Sequence, residues 1–179
     1  MLSGGGATAV RPARFMLAAA TNPCPCGYLG EPRCACPPGA LARYRRRLGG
    51  PLLDRIDLLA RLERDERMGL SAPAVTSSAQ ARERVALARE RQAARLRGTE
   101  ARLNSELTPR LLARDARLGA RGQRILERAR RGGMLSGRGE HRALRVARTI
   151  ADLEGRPRVA AEDLAAALAL RCEAGRAGP

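Results

Sequence analysis

The chain has 179 residues, 44% of them apolar and 29% charged, a balance that fits a folded protein rather than a disordered tail. Its formal charge of +16 calls for an acidic partner or an acidic remainder of a larger molecule; an Arg excess is also what a GC-rich coding sequence produces, and charge alone carries no specificity. No apolar run reaches the roughly 18 residues of a membrane span and the first residues lack a signal peptide's hydrophobic stretch, so a cytoplasmic protein without a membrane role is expected.

With 2% aromatic residues and no Trp, the core must be built from Leu, Ala, Val and Ile, which suits packed helices. Residues 14–21, RFMLAAAT, are a continuous apolar run closed by Asn22-Pro23, the pattern of a buried strand whose carboxyl end delivers Asn22 to a loop. The segment from Cys24 to Pro38 reads as an ordered loop, and Ala40 to Arg47 as a short basic helix. After a turn at Gly49, Gly50 and Pro51, residues 56–62 alternate like a second strand, with Asp54, Arg55 and Asp57 held near the turn. Residues 68–78 look like a linker closed by Ser77 or Ser78 as an N-cap.

Beyond it the chain is repeatedly helical, about Ala79 to Leu96, Thr108 to Leu118, Gly122 to Arg131, Gly139 to Leu153 and Ala161 to Cys172. In the first of these Val85, Leu87, Ala88 and Leu96 form an uneven stripe beside abundant Arg, which predicts one wet face. Thr108-Pro109 is a cap followed by proline at the first helical position, and Gly132-Gly133 is a stop. Leu144, Ala147, Ile150, Ala151 and Leu153 recur at helical spacing before Gly155, a left-handed cap. The reading is mainly α with a small α/β remnant: residues 1–70 as an α/β piece with a cysteine-rich insertion at 24–36, and residues 71–179 as a helical domain. Two strands do not make a stable sheet alone, so further sheet is expected from polypeptide outside this chain.

Cys24 and Cys26, then Cys34 and Cys36, form two C-x-C pairs separated by seven residues, enough loop to fold four thiolates around a tetrahedral zinc. Reduced thiols in a compact loop are the competing reading, since the usual knuckle spacing is C-x-x-C. Cys172 reads as a core residue, and His141 as an exposed helical residue rather than a ligand or base.

Taken together, PARFMLAAATNPCPCG, GPLLDRIDL and LSGRGEHRALRVARTIADLEG resemble the magnesium-chelatase-like AAA+ ATPases of the YifB/ComM type, over the carboxy-terminal third of that family. The resemblance implies the end of an AAA+ core followed by the helical lid called the Mg-chelatase C-terminal domain. It implies ATP and magnesium as cofactors, a homo-oligomer that is a hexamer, and a DNA-processing role more than chelation. By the same resemblance Asn22 is sensor 1, which orients the attacking water, and Arg55 is the arginine finger reaching into a neighbour's nucleotide site. Arg138 resembles sensor 2, with Arg142 and Arg145 as alternates on the same segment.

Each residue also has a plainer reading. Asn before Pro is a turn former, Arg55 can pair with Asp54 or Asp57, and the helical arginines can be solvated. A phosphate-cradling G-x-x-x-x-G-K-[ST] loop and an acidic magnesium-binding strand do not occur before Asn22, so the chain is expected to be inactive alone and to need the missing ATPase core. The alternative is a non-enzymatic basic module, with or without zinc, that binds nucleic acid through phosphate contacts. The absence of stacking aromatics and of a reading helix weighs against it.

Overall fold

Caps written into the sequence set most of the helices. The computed structural model describes residues 2–4, 7–9, 15–47, 49–53, 55–60, 62 and 76–172. They belong to two compact units, residues 1–49 and 50–179.

In the first unit β1 (Leu2–Gly4) and β2 (Ala7–Ala9) pair antiparallel, Leu2 opposite Ala9 and Gly4 opposite Ala7. The strand expected at 14–21 does not form: residues 15–22 carry no regular secondary structure, with Phe15 76%, Met16 90% and Leu17 63% exposed. An extended apolar run becomes a strand only beside another strand, and none of the described residues supplies one. The basic helix α1 spans Pro38–Arg47, close to its expected bounds, and buries no side chain.

The second unit opens with α2 (Gly50–Leu53) and an irregular stretch over 55–60. The described residues of the second strand expected there form no strand; the Leu59 N–H instead donates to the Leu170 carbonyl at 2.8 Å. The expected boundary at 70–71, most of the linker and Asp54 lie outside the described residues, as does the side chain of Cys172.

The helices follow: α3 (Ser78–Leu96), a 3-10 turn (Asn104–Glu106), α4 (Pro109–Asp115), α5 (Ala120–Arg131), α6 (Gly137–Leu153) and α7 (Ala161–Cys172). Ser77 and Gln80 make a reciprocal capping box on α3, and Thr108 accepts from the Leu111 N–H with Pro109 behind it. Gly133 (φ +67°) and Gly155 (φ +71°) end α5 and α6 in the left-handed region, and the Met134 and Arg156 N–H groups reach back to Ala129 and Ala151.

The core is leucine and alanine. Ala143, Ala147 and Ala151 make a fully buried stripe along α6, and their small side chains let Leu164 and Ala167 of α7 approach closely, with Leu107, Leu112 and Leu126 filling the remainder. On α3 the buried line is Ala88, Gln92 and Leu96, spaced by four; Val85 and Leu87, expected to join it, point elsewhere on the helix and are exposed.

Polar residues at the centre are paired with one another, although the Nε atoms of Arg95 and Arg148 have no hydrogen-bond partner among the described residues. Fully buried Arg148 donates to the carbonyls of Arg156 (2.6 Å) and Pro157 (3.0 Å) and to Asp152 Oδ1 (3.0 Å). Asp152 also accepts from Arg95 (2.5 and 2.9 Å) and Asn104 (2.9 Å), while Gln92 receives the Asn104 N–H at 2.7 Å. Charges taken this far from water persist only when paired and hydrogen-bonded.

Candidate functional site

Asn22 ends the apolar run, and its backbone is fixed by one aromatic residue. The Tyr44 hydroxyl, on α1, donates to the Asn22 carbonyl (2.8 Å) and lies 2.7 Å from Thr21 Oγ1. The side chain of Asn22 is exposed and lies beside Gly27, where an added Cβ would come within 3.9 Å of its amide. Gly27 (φ +85°) and Gly30 (φ +90°) give the cysteine loop its two left-handed turns, and the Gly27 N–H closes back on the Cys24 carbonyl at 3.0 Å.

That folding brings the two C-x-C pairs together. The sulfurs of Cys24, Cys26, Cys34 and Cys36 all lie within 4.8 Å of one another. Cys24 is buried, Cys34 and Cys36 are half-buried, and Cys26 is exposed. The Tyr28 backbone, followed by the thiols of Cys36 and Cys24, draws Cys26 down to about 6. The backbone of Cys26 favours ionisation of Cys36, but the Cys26 sulfur, burial and Cys24 outweigh it and push Cys36 up to about 12. A thiolate at one sulfur of such a cluster opposes ionisation of the next.

In the second unit Arg55 sits exposed on a turn, its N–H donating to the Leu52 carbonyl at 2.9 Å. Two arginines from the helices hold this turn. Arg142 of α6 donates to the Arg55 carbonyl and to Asp57 Oδ1 (2.9 Å), and Arg171 of α7 donates to the Ile56 carbonyl (3.1 Å). Arg145 is also committed, donating twice to the Leu107 carbonyl (3.1 and 2.6 Å), and burial draws its pKa down. Arg138, the second residue of α6, is exposed and makes no ion pair among the described residues. The one carboxylate in that first turn, Glu140, is held by Arg130 at 2.6 and 2.5 Å, so its charge does not oppose an anion beside Arg138.

His141, expected to be exposed, is half-buried at the wall of a 320 Å³ groove with Leu112, Leu118, Leu126 and Leu144; Arg138 does not line it. The residues that hold the site were harder to foresee than those within it. Asp57 stands two residues from Arg55 and was visible as part of DRID, whereas Tyr44 and Arg171 carry no local signal of their roles.

Among the described residues no helix is long and apolar enough to cross a membrane. The family profile "Magnesium chelatase, subunit ChlI C-terminal" matches residues 75–171, and "Magnesium chelatase, subunit ChlI" matches residues 2–70. An uncharacterized protein of Mycobacterium tuberculosis is 43% identical over 160 residues, 89% of this chain and 32% of the relative. Competence protein ComM of Haemophilus influenzae is 38% identical over 162 residues, 89% of this chain and 31% of its own. The uncharacterized protein YifB of Escherichia coli is 39% identical over 145 residues, 80% of this chain and 28% of its own. The chain thus spans about a third of the length of the curated relatives it matches.

Proposed function

Because the chain belongs to the magnesium chelatase subunit ChlI family, with relatives of the YifB and ComM type, we propose that it is the carboxy-terminal part of an AAA+ ATPase of that type. In this reading residues 1–70 complete the α/β core and residues 71–179 form the lid. Asn22, Arg55 and Arg138 act as sensor 1, arginine finger and sensor 2 in a homohexameric cytoplasmic ring.

The observation that carries the reading is the different fate of the arginines on α6. Arg142, Arg145 and Arg148 are each committed to acceptors within the unit, while Arg138 stands exposed at the helix start, in a first turn whose one carboxylate is paired with Arg130. That environment fits a phosphate oxygen. Exposure of Phe15, Met16 and Leu17 supports the same reading, since an apolar run leading to Asn22 fits against further sheet.

ATP with magnesium supplies the phosphoanhydride bond to be broken. The chain's residues supply position and charge: the Asn22 amide accepts from water while donating to a phosphate oxygen, and the Arg55 guanidinium forks onto oxygens where negative charge spreads. All 34 basic residues are arginine, so no P-loop lysine exists in this sequence and hydrolysis requires a core supplied from elsewhere. The charge of +16 and the ComM relative support a DNA-processing role.

The test is to mix the chain with the P-loop core of a family member. ATP hydrolysis is expected only in the mixture, and Arg55→Ala should abolish it while leaving the helical circular dichroism intact. Turnover retained in that variant refutes the finger assignment. Salt-sensitive DNA binding by the chain, with no hydrolysis in any mixture, favours the basic-module alternative.

A further inference from the structure

The first unit lacks what ordinarily fixes a loop. Over residues 15–47 Cys24 is the one buried side chain, and α1 buries none. Hydrophobic burial therefore contributes little to holding residues 24–36, and small units without a core are held by disulfides or metals. The four cysteines are free thiols, and their sulfurs stand too far apart for the S–S bond of about 2.05 Å.

Their spacing has a different meaning. Zinc bound to thiolates at about 2.3 Å in a tetrahedron places its sulfurs about 3.8 Å apart. Here Cys24 to Cys26 is 3.4 Å, Cys24 to Cys34 is 4.0 Å and Cys26 to Cys34 is 3.7 Å, with all four inside 4.8 Å. The sulfurs bracket the tetrahedral edge and are too close to surround an iron–sulfide cage. Sulfur-only tetrahedral donor sets suit zinc or a single iron, of which zinc needs no redox role in a structural site, whereas magnesium takes oxygen.

We propose that Cys24, Cys26, Cys34 and Cys36 bind a single zinc ion as a tetrahedral tetrathiolate that pins the loop beside Asn22. The ion is structural, since four protein ligands leave no open position for a substrate. Through Gly27, which lies against the Asn22 amide, the closed loop fixes where that side chain stands. The site follows from the first unit alone and does not depend on the ATPase reading.

The test uses the full chain, purified with a reductant and without chelator. Plasma mass spectrometry is expected to find about one zinc per chain. Cobalt(II) added to metal-stripped protein should give the visible absorption of a tetrahedral tetrathiolate, and the Cys24→Ser/Cys36→Ser double variant should give neither while keeping the helical circular dichroism of the second unit. Thiol titration adds a readout independent of reconstitution, because the cluster thiols should react only after chelation. Negligible zinc together with a featureless cobalt titration, or iron in place of zinc, overturns the proposal; either result leaves the ATPase test unaffected.

Discussion

Replacing Asp152 by alanine removes the acceptor on which the centre of the helical unit converges. Four hydrogen bonds are lost at once: two from Arg95, one from Asn104 and one from Arg148. Arg148 is fully buried and its Nε has no hydrogen-bond partner among the described residues, so no spare acceptor stands ready to replace the carboxylate. Leaving a buried charge unpaired costs about 3–5 kcal/mol. Asp115, whose Oδ2 lies 3.6 Å from Arg95 Nε, keeps a counter-charge near one of the two cations, which places the expectation at about 3 kcal/mol. For a domain of this size that is a fall in Tm on the order of 10 °C.

Urea titration followed by helical circular dichroism measures the loss directly. Arg121→Ala is the control, because its partner Glu162 is as exposed as it is and such pairs are worth about 0–1 kcal/mol. The double variant Arg148→Met/Asp152→Leu should not recover stability, since the carbonyls of Arg156 and Pro157 would lose their donor. A loss below about 1 kcal/mol for Asp152→Ala, or a double variant as stable as the original chain, refutes this account of the core.

Three further outcomes are expected. Glu140 is held below its ordinary value of 4.5 chiefly by the hydrogen bond from Arg130, so its stabilisation is complete above that value and lost as pH falls through the lower folded value. The pair is half open to water and contributes up to about 1 kcal/mol; the stability difference between the chain and Glu140→Gln should close as pH falls from above 4.5 through the lower folded value, and a pH-independent difference contradicts the pairing. Gly155→Ala should cost about 1–2 kcal/mol, because φ is +71° and the new Cβ would stand 3.3 Å from the Arg91 guanidinium that donates to the Asp152 carbonyl; an unchanged urea midpoint counts against it. Arg142→Ala should speed amide exchange over 55–59 by roughly fivefold, about 1 kcal/mol, and protection equal to that of the original chain would show that the turn holds itself.

The helical unit was legible because its signals are local. Ser77 with Gln80, Thr108 with Pro109, and Gly155 each act within a few residues, so most helix ends follow from sequence to within a residue or two, the exception being α4, which stops at Asp115, three residues before the expected Leu118. The strands were not, because strand formation depends on a partner that the sequence of the run does not name. Residues 15–22 are apolar as a strand requires but lack the partner that composition cannot supply, while the pairing of 2–4 with 7–9 lay in a segment read only for a signal peptide and a P-loop, although Gly5-Gly6 between the strands is a turn signal in the sequence. The α6 stripe was read partly correctly: Ala147 and Ala151 are buried, but Arg148 and Asp152 are buried beside them, and an i, i+4 ion pair looks the same in sequence whether it faces water or core. The two C-x-C pairs declared that four sulfurs could meet; the left-handed glycines between them determine that they do.

The turn carrying Arg55 is anchored on one side by Arg142 from α6 and on the other by Arg171 and the Leu170 carbonyl from α7. Arg138 begins that same α6. In the proposed ring one arginine would serve a subunit's own nucleotide and the other its neighbour's, yet both ride on a single lever. A tilt of the lid that brings Arg138 toward or away from phosphate would swing Arg55 with it, so news of one nucleotide's state would pass to the adjoining subunit as a mechanical displacement, in one direction around the circle.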